Sequence, residues 1–204
     1  MRLFFAIELP ADIRQKVLAL QEVLRQGTPD GYLRYTMPEL LHVTLAFLGE
    51  VPEENLEEIK AIAGHLCAKS PDSRLRFQGI GSFGSSRLPQ VIWLGVLEDD
   101  LRIRGQTRPL ADLGVKLSSA CARFSSRTNN EAFENAVCLH VTLARAEPGM
   151  TKERAKEISK ATSKVLDVQV GIGQVDVSEI TLYESTPGNG HNRYRVIDRF
   201  PVKS

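Results

Sequence analysis

The pentapeptide His-Val-Thr-Leu-Ala occurs twice in this chain of 204 residues, at 42–46 and again at 140–144. With ordinary residue usage, only about 0.01–0.02 identical pentapeptide pairs are expected by chance in a chain of this length. The chain has four histidines, and two of them, His42 and His140, occupy the first position of the two copies. The repeat therefore predicts a site built from paired histidines.

Both copies have the sequence pattern of a β-strand, because Val, Thr and Leu dominate them and apolar and polar residues alternate. On a strand, the His and the Thr two positions later project from one face. Each copy therefore offers an imidazole beside a hydroxyl, His42 with Thr44 and His140 with Thr142. A single strand of this kind is also typical of a solvent-facing amphipathic strand. The repetition favours a functional pair.

The elements predicted around the two motifs repeat as well. Each motif is preceded by an apolar strand and a helix, and is followed by an amphipathic helix and a further strand. In the first copy the strands lie at 3–7 and 74–80, and the helices lie at 11–26 and from about 52. In the second copy the strands lie at 91–96, 168–172 and 179–183, and the helices lie at about 99–112 and from about 150. Residues rich in Gly, Ser and Pro predict turns at 27–31, 81–86 and 186–190, and a polar loop is predicted at 115–136.

The predicted fold class is α+β, with two pseudo-symmetric lobes, each a mainly antiparallel sheet with outer helices. We expect a single two-lobed domain over 1–204, with approximate repeats at 1–87 and 88–184 and a C-terminal strand at 193–202. The apolar content of 42 % and the chain length are enough for a sizeable core. A pseudo-two-fold axis would place the two His-Thr strands on either side of an active cleft between the lobes.

Composition argues against several classes of protein. No apolar run approaches the length of a membrane span and no signal peptide is recognisable, so the expected location is cytoplasmic. Three cysteines without C-x-x-C spacing predict neither a disulfide framework nor a zinc site. The net charge of +1 gives no general attraction to nucleic acid, so a polyanion would need a local basic cluster.

Two segments carry a family resemblance, LHVTLAFLG at 41–49 and LHVTLAR at 139–145. They resemble the paired H-x-T-x signatures of the two-histidine (2H) phosphoesterases, most closely the LigT-like RNA 2′,3′-cyclic phosphodiesterases of the 2′-5′ RNA ligase family. The segments 1–7, 90–95 and 182–185 agree with this resemblance, which covers essentially the full chain.

The resemblance implies a hydrolase that opens RNA 2′,3′-cyclic phosphate ends to a 2′-phosphate without a metal or any other cofactor. The expected partner is an RNA or oligonucleotide with such an end, and we expect a monomer that does not associate with membranes. Imidazoles suit acid and base roles because their pKa lies at about 6.5. The two copies are chemically alike, so the residues alone leave the order open; the resemblance implies that His42 is the proton donor and His140 the proton acceptor.

Other side chains are expected to hold the substrate. The hydroxyls of Thr44 and Thr142 can donate to phosphate oxygens, and Arg145 can add a charge-assisted contact. Arg145 lies at odd spacing from His140, so a bulge or the strand end must turn it inward. Its removal is expected to weaken phosphate binding and to leave unchanged the two limbs of the pH–rate profile, which the histidines set. Tyr35 is a candidate for stacking on a nucleobase, and completing the core is its alternative role.

Two other functions remain open. Ligation of 2′-5′ RNA ends would use the same site, with a ribose hydroxyl in place of water. A non-catalytic RNA- or nucleotide-binding module would use the same scaffold, although loss of a histidine would be expected in that case and both are present.

Overall fold

The computed structural model describes residues 1–71, 73–85, 88–99, 108–125, 138–149, 151–168, 172–188 and 191–202. Its helices are α1 (Ala11–Gln26), α2 (Leu56–Cys67), α3 (Pro109–Cys121) and α4 (Lys152–Val168). Its strands are β1 (Arg2–Glu8), β2 (Leu33–Tyr35), β3 (His42–Glu50), β4 (Ser73–Ser85), β5 (Leu88–Asp99), β6 (His140–Ala146), β7 (Gly173–Val177), β8 (Glu179–Thr186) and β9 (Arg193–Pro201). The two motifs are thus the first residues of β3 and β6, as predicted.

The described strands form one antiparallel sheet in the order β7-β4-β5-β6-β3-β1-β8-β9, and β2 pairs with β6. The two motif strands are neighbours at the centre, where Val43 lies opposite Val141. Because side chains alternate along a strand, the His and Thr of both motifs share the other face of the sheet. The predicted combination of an antiparallel sheet with helices is confirmed.

The proposed repeats at 1–87 and 88–184 stay an interpretation of the sequence. In the sheet, the last strand of the first repeat, β4, pairs with the first strand of the second, β5. Likewise β8, near the end of the second repeat, pairs with β1. Each repeat therefore contributes one strand to the half of the sheet that contains the motif strand of the other repeat.

The core lies between the sheet and the helices. Val43 and Val141 are fully buried on the face opposite the histidines. Helix α3 packs on β3 and α1 packs on β6, so each motif strand is covered by a helix from the other repeat. Among the described helices, none is both long and apolar enough to cross a membrane.

Four predicted boundaries are wrong. The helix predicted at 99–112 begins at Pro109, and the stretch predicted as a polar loop at 115–136 starts inside this helix. Pro suits a first helical position because its missing N–H is not needed there. The carboxylate of Glu98 accepts the N–H groups of Leu110 and Ala111, at 2.6 and 3.3 Å, so the end of β5 caps α3. Residues 100–107 and 126–137 lie outside the described residues.

The other two errors concern a strand and a turn. Val168 of the strand predicted at 168–172 ends α4, and β7 begins at Gly173; residues 169–171 lie outside the described residues. The turn predicted at 81–86 falls on β4, which continues to Ser85. Gly81 serves packing there, because a Cβ at this position would lie 2.2 Å from Cζ2 of Trp93 on the paired strand.

A helical glycine fixes how closely α3 approaches β3. A Cβ on Gly114 would lie 2.5 Å from the backbone oxygen of Leu45. We expect Gly114→Ala to lower the free energy of unfolding by about 1–3 kcal/mol, because the helix must move off the strand. Urea unfolding at equilibrium measures this change.

Gly64 in α2 is the matched control, since its Cβ would meet only Cδ1 of Phe200, at 3.9 Å. Gly64→Ala is expected to stabilise the protein by about 0.5–1 kcal/mol through helix propensity. An equal gain in stability for both variants would show that α3 tolerates a side chain at its contact with β3.

Candidate active site

A β-bulge follows each His-x-Thr motif and sets which side chains reach the site. In β3, Thr44 pairs with Ala6 and Ala46 with Phe5, so Leu45 is the extra residue. In β6, Thr142 pairs with Trp93 and Ala144 with Ile92, so Leu143 is the extra residue. The bulges shift the side-chain alternation by one position.

The shifted alternation turns the next side chain of each strand toward the histidine face. Leu143 and Ala144 are both buried, and Arg145 then faces the same side as His140 and Thr142. The predicted need for a bulge at Arg145 is therefore met. In β3, the equivalent position is occupied by Phe47.

One cleft of about 520 Å³ collects all of the side chains proposed from the sequence. Its wall includes His42, Thr44, His140, Thr142, Arg145 and Tyr35. The volume lies in the range of roughly 300–1,000 Å³ that is typical of small-molecule sites. The strand pairing of β3 with β6 is what brings the two motifs to this cleft.

The backbone orients the His42 ring. Its Nδ1–H donates to the carbonyl oxygen of Leu40, at 2.7 Å, and Nε2 lies 2.9 Å from Oγ1 of Thr44. The ring also packs against Phe4, at 5.2 Å between ring centroids, and nearly perpendicular to Tyr194, at 5.4 Å. These contacts leave Nε2 as the nitrogen that gains or loses a proton.

His140 is oriented in the same way. Its Nδ1–H donates to the carbonyl oxygen of Cys138, at 2.7 Å, again two residues earlier in the chain. Phe83 lies nearly perpendicular to the ring at a centroid distance of 4.9 Å, and Trp93 lies at 6.2 Å. Both motifs therefore fix the same tautomer and leave the same ring nitrogen, Nε2, to titrate.

The surroundings lower the pKa of both histidines below the ordinary value of 6.5. Burial is the main cause at each ring, and the bonds to the backbone carbonyls oppose it. The charge of Arg145 lowers the pKa of both rings further, and that of His140 also lowers the pKa of His42. In the free protein at neutral pH, the uncharged forms are therefore favoured.

The charged side chains of the cleft are all potential cations. Arg2, Arg34 and Arg145 line it together with three histidines, and its described wall contains no Asp or Glu. Arg34 lies opposite Arg145 in the pairing of β2 with β6. Such a wall favours an anionic ligand.

Several wall residues are missed by the sequence reasoning, namely Arg2, Phe4, Arg34, Phe47, His191 and Tyr194. Extending the repeat alignment by one residue would have found Phe47, the counterpart of Arg145. Arg34 gives no such signal, because a three-residue strand brings it to the cleft. Tyr35 is half-buried with the Arg25 guanidinium over its ring, at 4.4 Å, and burial raises its pKa. Nucleobase stacking by Tyr35 stays a prediction.

Comparison with known proteins identifies the class to which this fold and site belong. Residues 7–93 match the family model described as LigT like Phosphoesterase. An RNA 2′,3′-cyclic phosphodiesterase of Escherichia coli strain K12 is 31 % identical over 202 residues, which cover 98 % of this chain and 96 % of the relative. One from Methanocaldococcus jannaschii is 28 % identical over 199 residues, which cover 97 % and 98 %. The chain belongs to the LigT-like phosphoesterase family.

Solved structures agree with this assignment. The crystal structure of E. coli LigT complexed with 3′-AMP matches with a TM-score of 0.69 at 29 % identity, covering 100 % of this chain and 98 % of that one. A crystal structure of a protein from Thermus thermophilus matches with a TM-score of 0.72, covering 99 % and 98 %, and at 23 % identity it supports the fold.

The position of Arg145 revises one expectation from the sequence. Because its charge lowers the pKa of both His42 and His140, Arg145→Ala should raise both values. The histidine ring resonances in an NMR pH titration measure this directly. Both limbs of the pH profile of kcat/KM should likewise move to higher pH in the variant.

Arg123→Ala is the control, since this arginine pairs with Glu58 and lies outside the cleft wall. It should leave both titrations in place. Identical histidine titrations in wild type and Arg145→Ala would show that the guanidinium does not approach the two rings.

Proposed function

We propose that this protein hydrolyses RNA 2′,3′-cyclic phosphate ends to 2′-phosphates, with His42 and His140 as the acid–base pair and without a metal ion. The observation that carries the proposal is the matched setting of the two imidazoles. Each ring is fixed through Nδ1–H on a backbone carbonyl, so Nε2 is its reactive nitrogen, and both rings line a cleft with cationic walls. The relatives named RNA 2′,3′-cyclic phosphodiesterases support the same substrate class.

The reaction needs two proton transfers on opposite sides of phosphorus. Neutral His140 takes a proton from water through Nε2 as the water oxygen forms its bond to phosphorus. The bond from phosphorus to the ribose 3′-oxygen breaks, and protonated His42 gives its proton to that oxygen. The products are a 2′-phosphomonoester and a free 3′-hydroxyl, and proton exchange with solvent restores the pair.

Binding of an anion favours the protonation state that this sequence requires. Burial makes both rings mainly neutral in the free protein, and a phosphodiester placed beside them stabilises the charged form of one. Nε2 of His42 lies 2.9 Å from Oγ1 of Thr44. The Thr44 hydroxyl can therefore exchange its hydrogen bond with the imidazole for one with a phosphate oxygen. Thr142 has the equivalent position in the second motif, two residues after His140.

Arg145 is proposed to bind the non-bridging phosphate oxygens, where negative charge increases as water attacks. Arg34 is its neighbour across the β2–β6 pairing and adds to the positive potential. Tyr35 is retained as a proposed contact to the nucleoside. A cytoplasmic location and a monomeric state complete the proposal, and sedimentation of the purified protein tests the latter.

The paired histidines make a first prediction for catalysis. His42→Ala and His140→Ala should each lower kcat by roughly 10²–10⁴-fold, because each removes a proton-transfer group. Turnover of an oligoribonucleotide with a 2′,3′-cyclic phosphate end measures the loss, and circular dichroism checks the fold. His65→Ala is the matched control, since His65 is exposed on α2 outside the cleft, and it should retain wild-type turnover.

A sulfur leaving group tests the order of the pair. A cyclic substrate with sulfur at the 3′ position expels a thiolate, which needs little help from an acid because thiols have a pKa of about 8.5. This substrate should restore turnover to His42→Ala and not to His140→Ala. Rescue of His140→Ala alone would reverse the assigned roles.

Metal independence and the direction of the reaction are tested together. We expect full turnover with a chelator present and a product that ends in a 2′-phosphate, identified by mass spectrometry and phosphatase treatment. Added RNA with a free hydroxyl end provides the nucleophile for ligation. Loss of activity on chelation would refute the metal-free mechanism, and a 2′-5′-linked product would establish ligation by the same site.

A further inference from the structure

Gln21 is a buried amide on α1, and only 2 % of its surface is exposed. A polar group in such a place costs stability unless it is hydrogen-bonded. Nε2 of Gln21 donates to the carbonyl oxygen of Leu143, at 2.7 Å, and to that of Thr36, at 2.9 Å. The two hydrogens of the amide group thus serve two separate segments of the chain.

Both of these segments lead to the cationic part of the cleft. Leu143 is the extra residue of the β6 bulge that turns Arg145 toward the histidines. Thr36 follows β2, which carries Arg34 opposite Arg145. The Leu143 carbonyl also accepts the N–H of Thr36, at 2.9 Å, so Gln21 completes a junction between the bulge and β2.

The bulge in β3 has a different support. There α3 approaches the Leu45 carbonyl so closely that Gly114 has no room for a Cβ. A close helix backbone supports the bulge that precedes Phe47, whereas a side-chain amide holds the bulge that precedes Arg145. The second arrangement fixes two strands by hydrogen bonds of defined direction.

We propose that Gln21 is a positioning residue for the phosphate-binding arginines Arg145 and Arg34. Its two hydrogen bonds fix the Leu143 bulge against β2 from the core side of the sheet. Gln21 thereby determines where the guanidinium of Arg145 lies relative to His42 and His140. The inference rests on the proposed function for the identity of the ligand, a phosphate ester.

Gln21→Met tests this role because methionine is similar in size and removes both donors. We expect the Kd for a nucleoside 2′-monophosphate, measured by calorimetry, to rise roughly 3- to 30-fold. Arg145→Ala should raise it more, by roughly 10- to 150-fold. For turnover, KM should rise while kcat changes less, and the histidine titrations should move in the direction that Arg145→Ala gives.

A double-mutant cycle separates positioning from a general loss of stability. If Gln21 acts through Arg145, then adding Gln21→Met to Arg145→Ala should weaken binding less than it does in the wild type. Ile59→Val, a buried substitution on α2, is the control that lowers stability and should leave Kd unchanged. If Gln21→Met does not fold, Gln21→Asn keeps an amide that is too short to reach both carbonyls, and the same cycle applies.

The outcomes distinguish the two proposals. Additive effects, or a wild-type Kd for folded Gln21→Met, would overturn the positioning role even if the protein hydrolyses cyclic phosphates. Conversely, absence of hydrolysis by the wild type would overturn the proposed function, while coupled effects of Gln21 and Arg145 on phosphate binding would still support the positioning role.

Discussion

One extra residue in each motif strand is the constraint on which this site depends. Strict alternation would send Phe47 and Arg145 into the core, away from the face that carries the histidines. The bulges at Leu45 and Leu143 reverse that direction. They also leave backbone carbonyls out of the regular ladder, so the covering helices must fit them. Gly114 and Gln21 are two different solutions to the same packing requirement.

Burial and positive charge together determine the protonation of the two histidines in the cleft. Burial and Arg145 both lower the pKa of the histidines, so free imidazolium is disfavoured. In the proposed mechanism, a phosphate ester changes this balance because it neutralises the arginine and stabilises a protonated ring. On this proposal the site acquires its acid together with its substrate, and the unbound protein avoids holding two imidazolium ions beside its arginines.

Local periodicity was sufficient to predict the face shared by the histidines and threonines and the bulge required at Arg145. It could not show that Gln21 reaches Leu143, because a polar residue on an amphipathic helix usually faces solvent. Arg34 was missed since pairing across the sheet, which is a long-range property, brings it to the cleft. The path of β4 through Gly81 was predicted wrongly for the same reason, because the contact with Trp93 across the sheet outweighs a local turn preference. The start of α3 was placed too early because Pro109 and the Glu98 carboxylate set it.

The pairing of β1 with β8 has a consequence for synthesis of the chain on the ribosome. Leu3 lies opposite Glu184, so one edge of β1 has no partner strand until β8, at residues 179–186, has been made. That edge belongs to a strand with two phenylalanines, a composition that favours association between nascent chains. Any product that stops before β8 would expose this edge permanently. The strand that pairs with β1 across the sheet is thus also the one that protects it from aggregation.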